Sequence, residues 1–350
     1  MIPLIFMETE TLELIHPQSG KHAQASLSRR DSHPEPQPQL PAYFQGVLRR
    51  HQSNPIITPG AMPVPCSAVF NCGAVWHDGR ALLLLRAEDM ARDNAFYVAT
   101  SEDGIRFDIE REPIHYPLRD TEKRWLHNRF DMRITPMPDE SVYYVTHASW
   151  LGGYGSCIGI SKTTDFRDFE AVGELSVPSN RNAALFPQKI RGRYARLERP
   201  QDIDGGGRIW VSYSPDLIHW GEARPVVLPD APWARCKTGA GAIPIRTEHG
   251  WLCIYHATSK NCATENYYLG VMLLDLERPD RVVAAPRQFI LQPETPYECM
   301  GQVPNVVFTN GAVVMPDGTL NIYYGGADTR VCLAQTRLAD MVEFCLAKES

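Results

Sequence analysis

From Ser53 onward the chain is a succession of short apolar runs broken by glycine, proline and acidic turn residues. No window of a dozen residues holds the i, i+3, i+4, i+7 spacing of an amphipathic helix, so strands are predicted throughout. Five runs share one pattern, a polar turn followed by an apolar strand that ends in a polar residue or glycine. They are WHDGRALLLLR to Arg86, MPDESVYYVTH to His147, IRGRYARLER to Arg199, RTEHGWLCIYH to His256 and MPDGTLNIYYGG to Gly326. Their turn residues, Gly79, Glu140, Gly192, Gly250 and Gly318, are 52 to 68 residues apart. D-G and H-G between apolar runs are hairpin signals. A second echo follows downstream in SEDGIRF, KTTDFRDF and SPDLIHW, each a turn ending in an aromatic anchor, with looser copies in LLDLERPD and TRLADMVEF.

Five units of about 60 residues, each of three or four short strands, predict an all-β fold, a five-bladed β-propeller. The alternative is a β-sandwich whose hairpins resemble one another by chance. Residues 1–45 break the pattern. Gln18 to Pro41 is polar and proline-rich with no sustained period. It is expected to be an N-terminal extension, either a flexible tail or an arm that contacts another copy in a homo-oligomer. Residues 46–350 are then the propeller.

Composition changes this picture little. A length of 350 residues by itself suggests two domains. Five units of about 60 account for about 300 of them, which leaves one closed domain and the extension. The net charge of −6 argues against nucleic acid or an anionic membrane as the main partner. No run of about 18 apolar residues predicts a transmembrane helix, and the first residues lack the basic start of a secretory signal. Nine cysteines without a C-x-x-C pair read as reduced thiols in a cytoplasmic protein, with no metal site.

The repeat brings candidate chemistry with it. In a propeller the inner strands line a central channel, and Arg86, His147, Arg199 and His256 hold equivalent positions at one end of their strands. Four cationic or potentially cationic side chains in one register point to an anion on the axis, phosphate or carboxylate. Glu88 and Asp89 stand near Arg86. Asp131, in RFDMRIT, lies between Arg129 and Arg133; it is either an ion-paired structural group or a general acid. Asp328 follows the glycine pair of YYGGADT. Trp125, Trp150, Tyr154, Tyr267 and Tyr268 are candidate sugar-stacking faces. The chain contains no G-x-S-x-G, Walker, G-x-G-x-x-G or H-E-x-x-H pattern in the required setting.

The segments SAVFNCGAVWHDGRALLLLRAE, FDMRIT, NAALFPQKIRGRYARLERP, IWVSYSPDLIHW, KTGAGAIPI, GWLCIYH, YLGVMLLDLERP, VPNVVF and YYGGADT together resemble glycoside hydrolase family 130, the β-mannoside phosphorylases, from Asn54 to Thr336. The resemblance implies a five-bladed propeller. It implies inverting phosphorolysis of non-reducing-end β-mannosides, with β-1,4-linked mannooligosaccharides as first choice, to α-mannose 1-phosphate and a shortened saccharide. Inorganic phosphate would be the co-substrate, without a cofactor. By motif match, Asp131 would be the acid, its proton passing through the mannose 3-hydroxyl. Arg181, Arg199 and His256 would bind phosphate, while Arg86, Glu88, Lys237 and Asp328 would lie near the mannose or acceptor. Three departures from the family pattern stand out: D-M-R at Asp131–Arg133 in place of D-P-R, Phe130 before the aspartate, and Glu198 beside Arg199. As a strand neighbour, Glu198 is expected to face away from the pocket. A water-using β-mannosidase with a base such as Glu265 or Glu298, or a non-catalytic carbohydrate-binding propeller, are the other readings.

Overall fold

The structure, a computed structural model, describes residues 46–202, 206–260 and 264–347; the expected extension over 1–45 lies outside the described residues. Five antiparallel sheets form the blades of a β-propeller. The apolar strand of each repeat is the second strand of its blade: Arg80–Asp89, Val142–Leu151, Tyr194–Pro200, Gly250–Lys260 and Thr319–Gly326. The innermost strand precedes it. This strand is split into Cys66–Val69 and Gly73–His77 in blade one and into Lys237–Ala240 and Ile245–Thr247 in blade four. It runs as Leu126–Met137, Asn180–Leu185 and Val307–Val314 in blades two, three and five. In the turns Asp78-Gly79 and Arg191-Gly192 both residues have positive φ, the conformation that matches the twist of a two-residue hairpin.

Strand alternation explains why the repeat strands read as unbroken apolar runs. A strand buried on both faces has no polar side. Leu83 and Leu85 pack toward blade five, with Tyr323, Val331 and Leu333. Leu82 and Leu84 pack toward blade two, with Met132, Ile134 and Val145. Trp251, Cys253 and Tyr255 likewise meet Leu197 and Val211 of blade three, whereas Leu252 and Ile254 meet Leu320 and Ile322 of blade five. A fifth cluster, with Tyr144, Ile160, Leu185 and Tyr194, joins blades two and three. The core is therefore five seams between blades.

The second echo is the turn between the third and fourth strands. Asp103 Oδ1 accepts the backbone N–H of Ile105 and Arg106, Asp165 Oδ1 those of Arg167 and Asp168, and Asp216 Oδ1 those of Ile218 and His219. Asp275 repeats the turn in LLDLERPD through Glu277 and Arg278. The fifth copy departs from expectation, since Leu338–Leu346 in TRLADMVEF is an α-helix. Blade five needs no fourth strand from this end of the chain. Arg49–Arg50 supplies it, pairing with Arg330–Arg337 and closing the ring.

That closure is held by charge as well as by the ladder. Arg50 Nε donates to Glu298 Oε1 at 2.8 Å, and Glu298 is fully buried. Tyr324 Oη and the N–H groups of Glu294 and Thr295 complete the carboxylate's partners. Removing one member of a buried pair strands the other. Arg50→Ala is expected to destabilise the fold by about 3 kcal/mol, measured by urea denaturation.

Candidate active site

The innermost strands are irregular at one level in every blade. Blades one and four are split there, and the ladder slips between Phe130 and Arg133, between Arg181 and Ala184 and between Thr309 and Gly311. A β-bulge re-aims the side chain it carries. At this level the chain reads F-N-C-G-A, F-D-M-R-I, R-N-A-A-L and T-N-G-A-V, placing Asn71, Asp131, Asn182 and Asn310 in equivalent positions. Asp131 and Asn182 have φ of 59° and 57°, in the left-handed region. Such backbone strain clusters at functional sites.

A cavity of about 180 Å³ opens there, lined by Phe70, Asn71, Arg86, Phe130, Asp131, Arg181, Asn182, Arg199, His256, Tyr267, Val306, Phe308 and Asp328. Six of the eight residues expected from the sequence thus meet in one place. Asn71 Nδ2 donates to Asp131 Oδ1 at 3.0 Å and Asn182 Nδ2 to Oδ2 at 3.2 Å. Neither flanking arginine pairs with the Asp131 carboxylate. Arg129 turns to buried Glu122, and Arg133 donates to backbone carbonyls. The alternative of an ion-paired structural aspartate is not what the chain folds into.

Arg181 and Arg199 stand directly opposite each other in the blade-three ladder. Like charges so placed repel. Among the described residues neither has a carboxylate within ion-pair distance, and the Nε of each is buried without a partner. Burial first, then the Arg181 charge, pulls Arg199 down to about 9. Arg199 Nη1 lies 3.3 Å from His256 Nε2. A guanidinium can only donate, so Nε2 accepts and the proton sits on Nδ1, which is buried and unpartnered. Burial and the surrounding arginines hold His256 well below its usual value, so it enters the site as a neutral donor, not as the cation expected. The glycines of KTGAGA now have a reason, because a Cβ on Gly239 would fall 2.4 Å from His256 Cε1 and 3.0 Å from Asn182 Oδ1.

The Arg86 guanidinium carbon lies over Phe70, 3.9 Å from the ring centroid, and its Nε donates to Asn94. Asp328, with φ of 48°, is raised to about 6, by burial first and then by the Asp131 carboxylate, against the pull of Arg86. Lys237 and Glu88 are not in the lining. Lys237 Nζ pairs with Glu265 Oε2 at 2.8 Å and sits 4.8 Å over the ring of Tyr267, one layer behind it. Glu88, which is buried, accepts from Ser67, Arg92 and Gln302. Glu198 does face away, bound to Arg196.

His147 corrects the expected register. Phe130, next to Asp131, pairs with Ala148, just as Arg181, next to Asn182, pairs with Arg199. The cavity position in blade two is therefore Ala148, and a shift of one residue sends His147 to the other face. There it is buried, 3.2 Å from Tyr116 Oη and 3.7 Å from Glu122 Oε1, and burial lowers it to about 4. Trp125 and Tyr154 pack edge to face on the surface, Trp150 is also exposed, and Tyr268 joins Trp233 and Phe289. Of the aromatic candidates, Tyr267 alone lines the cavity.

A family model described as beta-1,4-mannooligosaccharide phosphorylase, glycoside hydrolase family 130, matches residues 40–347. The chain belongs to glycoside hydrolase family 130. Among relatives, it is 35% identical to a beta-1,4-mannooligosaccharide phosphorylase of Ruminococcus albus, over 89% of this chain and 94% of that one. It is 34% identical to a 1,2-beta-oligomannan phosphorylase of a Thermoanaerobacter species, over 84% and 98%. Among solved structures, the beta-1,2-mannobiose phosphorylase of Listeria innocua, in complex with beta-1,2-mannobiose, superposes with a TM-score of 0.75 at 26% identity, covering 85% of this chain and 99% of that one.

The asparagines that hold Asp131 were not among the residues expected from the sequence, because they stand on the innermost strands, whose N/D repeat is a weaker signal than the apolar runs of the second strands.

The raised Asp328 has a consequence for stability. The folded chain holds this proton more tightly than the unfolded chain, whose carboxyl titrates near 3.8. The group therefore favours folding at low pH and loses that contribution as pH rises through about 6. Asp328→Asn is expected to raise Tm relative to the parent above that value and hardly at all near pH 4, read from melting curves across the range.

Proposed function

We propose that this chain cleaves non-reducing-end β-mannosides by phosphorolysis with inversion, giving α-mannose 1-phosphate and a saccharide one unit shorter. The observation that carries this reading is the opposed pair Arg181 and Arg199, one half-buried and one buried cation, each with a buried, unpartnered Nε and no carboxylate partner among the described residues. A phosphate oxyanion relieves their repulsion and meets their orphaned donors, with His256 Nδ1–H as a neutral third. In the reaction, a phosphate oxygen attacks the anomeric carbon from the face opposite the leaving sugar. The glycosidic bond breaks, and the leaving oxygen takes a proton that originates on Asp131. Phosphate thus stands where an inverting hydrolase needs water and a second carboxylate as base.

The candidate bases of a hydrolase are engaged elsewhere. Glu265 is tied to Lys237 and Thr258, and Glu298 holds the ring closure at Arg50. Asp328 is the second carboxylate in the cavity, and its place between Arg86 and Asp131 suits a mannose hydroxyl. Arg86 would hold the same sugar. Glu88 and Lys237 act from behind the lining on the acceptor side. Phosphate is co-substrate, and no cofactor or metal takes part. The family description and the Ruminococcus relative favour a β-1,4 linkage.

Incubation of mannobiose with and without phosphate tests the reaction, and mannose release at equal rates in both would overturn it. Asp131→Asn is expected to lower kcat about 10²- to 10⁴-fold. Arg181→Ala and Arg199→Ala are each expected to raise the KM for phosphate about 10- to 100-fold. Synthesis from α-mannose 1-phosphate on a panel of mannose, glucose and N-acetylglucosamine acceptors identifies the linkage by analysis of the product.

A further inference from the structure

We infer that Arg133 is a positioning residue for the proton donor, a clamp that sets the backbone of Asp131 from a blade on the far side of the channel. The inference rests on Asp131 being the acid of the proposed reaction.

Arg133 is among the largest fully buried side chains, at 1% exposure. A buried guanidinium is expected to carry a carboxylate partner, but among the described residues Arg133 makes no ion pair. It collects three backbone carbonyls instead. Nη1 donates to the carbonyl of Asp131 at 2.9 Å, Nη2 to that of Ala240 at 2.8 Å and Nε to that of Gly241 at 2.5 Å. Ala240 ends the first half of the split innermost strand of blade four, which is not a neighbour of blade two in the ring.

The bulge makes this clamp necessary. The ladder to Val142–Leu151 runs through Phe130 and resumes at Arg133, skipping Asp131 and Met132. The Asp131 carbonyl is thereby released from strand pairing, at a residue whose φ of 59° a side chain rarely adopts. Arg133 captures that carbonyl. The carboxylate itself is held from the two adjacent blades, by Asn71 of blade one and Asn182 of blade three. Asp131 is thus fixed at its backbone from blade four and at its side chain from blades one and three. Methionine between Asp131 and Arg133 is buried in the seam with blade one, which leaves Arg133 alone to reach across the axis.

A group that only holds the fold together would slow every substrate alike. A group that aims the acid matters only where a proton must be delivered. The test compares mannobiose, whose leaving alkoxide needs the proton, with a dinitrophenyl β-mannoside, whose leaving phenolate does not. Arg133→Met is expected to lower kcat/KM about 10²-fold on mannobiose while leaving the aryl mannoside largely unaffected. Arg133→Lys, which keeps the charge and one or two donors, is expected to recover part of the loss and serves where the methionine variant does not fold. Asp131→Asn run in parallel should show the same selectivity. Equal losses on both substrates for the Arg133 variants, with Asp131→Asn still selective, would overturn the positioning role alone. Equal losses for Asp131→Asn would overturn the acid assignment and the inference with it.

Discussion

Each blade of a propeller keeps an outer edge, and the ring itself closes only where the first and last strands of the chain meet. In this chain they meet through two residues, Arg49 and Arg50, laid along the outer edge of the last blade. The pairing lets each of the five seams be buried between two blades, so that no second strand presents an apolar face to water. It also fixes where the innermost strands stand around the channel, and every feature of the site is referred to that axis. The Arg50–Glu298 pair couples the start of the described chain to a short helical turn near its end, Pro296–Cys299. Charge and closure are therefore one device.

Within that frame, the five innermost strands break their regular ladder at a common level. A regular strand would present its side chains to the neighbouring blades in alternation and none along the axis. A bulge or a gap turns one residue inward, and the residues so turned into the cavity are short and polar: Asn71, Asp131 and Asn182. The second strands pass the same height and contribute Arg86, Arg199 and His256. The cavity is thus assembled from two circles of residues, one from strand irregularities and one from the second strands beside them. Its charges are deliberately unbalanced in place. Both oxygens of Asp131 are held by amides with no cation in contact, while Arg181 and Arg199 face each other with no carboxylate in ion-pair distance among the described residues. Such a site is costly to leave alone and favourable to fill with a ligand that carries negative charge on one side and hydroxyls on the other.

Much of this was legible in one dimension. Five hairpins of similar spacing foretold five blades, because each blade needs a doubly buried strand and a doubly buried strand must be apolar throughout. The acidic turn after each third strand was visible because an aspartate that caps two N–H groups leaves a short, recurring signature. Its fifth copy misled, because a helix can open with the same polar-then-apolar run. The cations on the second strands were legible too, apart from His147, where the turn Pro138–Glu140 lengthens the hairpin and moves the cavity position to Ala148. Sequence pattern counts residues, but a side chain's face depends on the parity of the pairing.

By itself, then, the sequence determined the fold class, the number of blades and the cations that reach the cavity, since all three follow from burial periodicity and from charge at repeated positions. The tertiary structure alone decided which charges meet. Asp131 could have paired with either of its neighbours in the chain, and instead Arg129 was drawn to Glu122 while Arg133 was drawn to the carbonyls of blade four. It also decided that His256 is neutral, because desolvation and neighbouring guanidinium groups act through space. The Arg129–Glu122 pair spans only 7 positions, but the others join residues far apart in the chain, for example Arg133 and Gly241 at a separation of 108, and no local pattern encodes those.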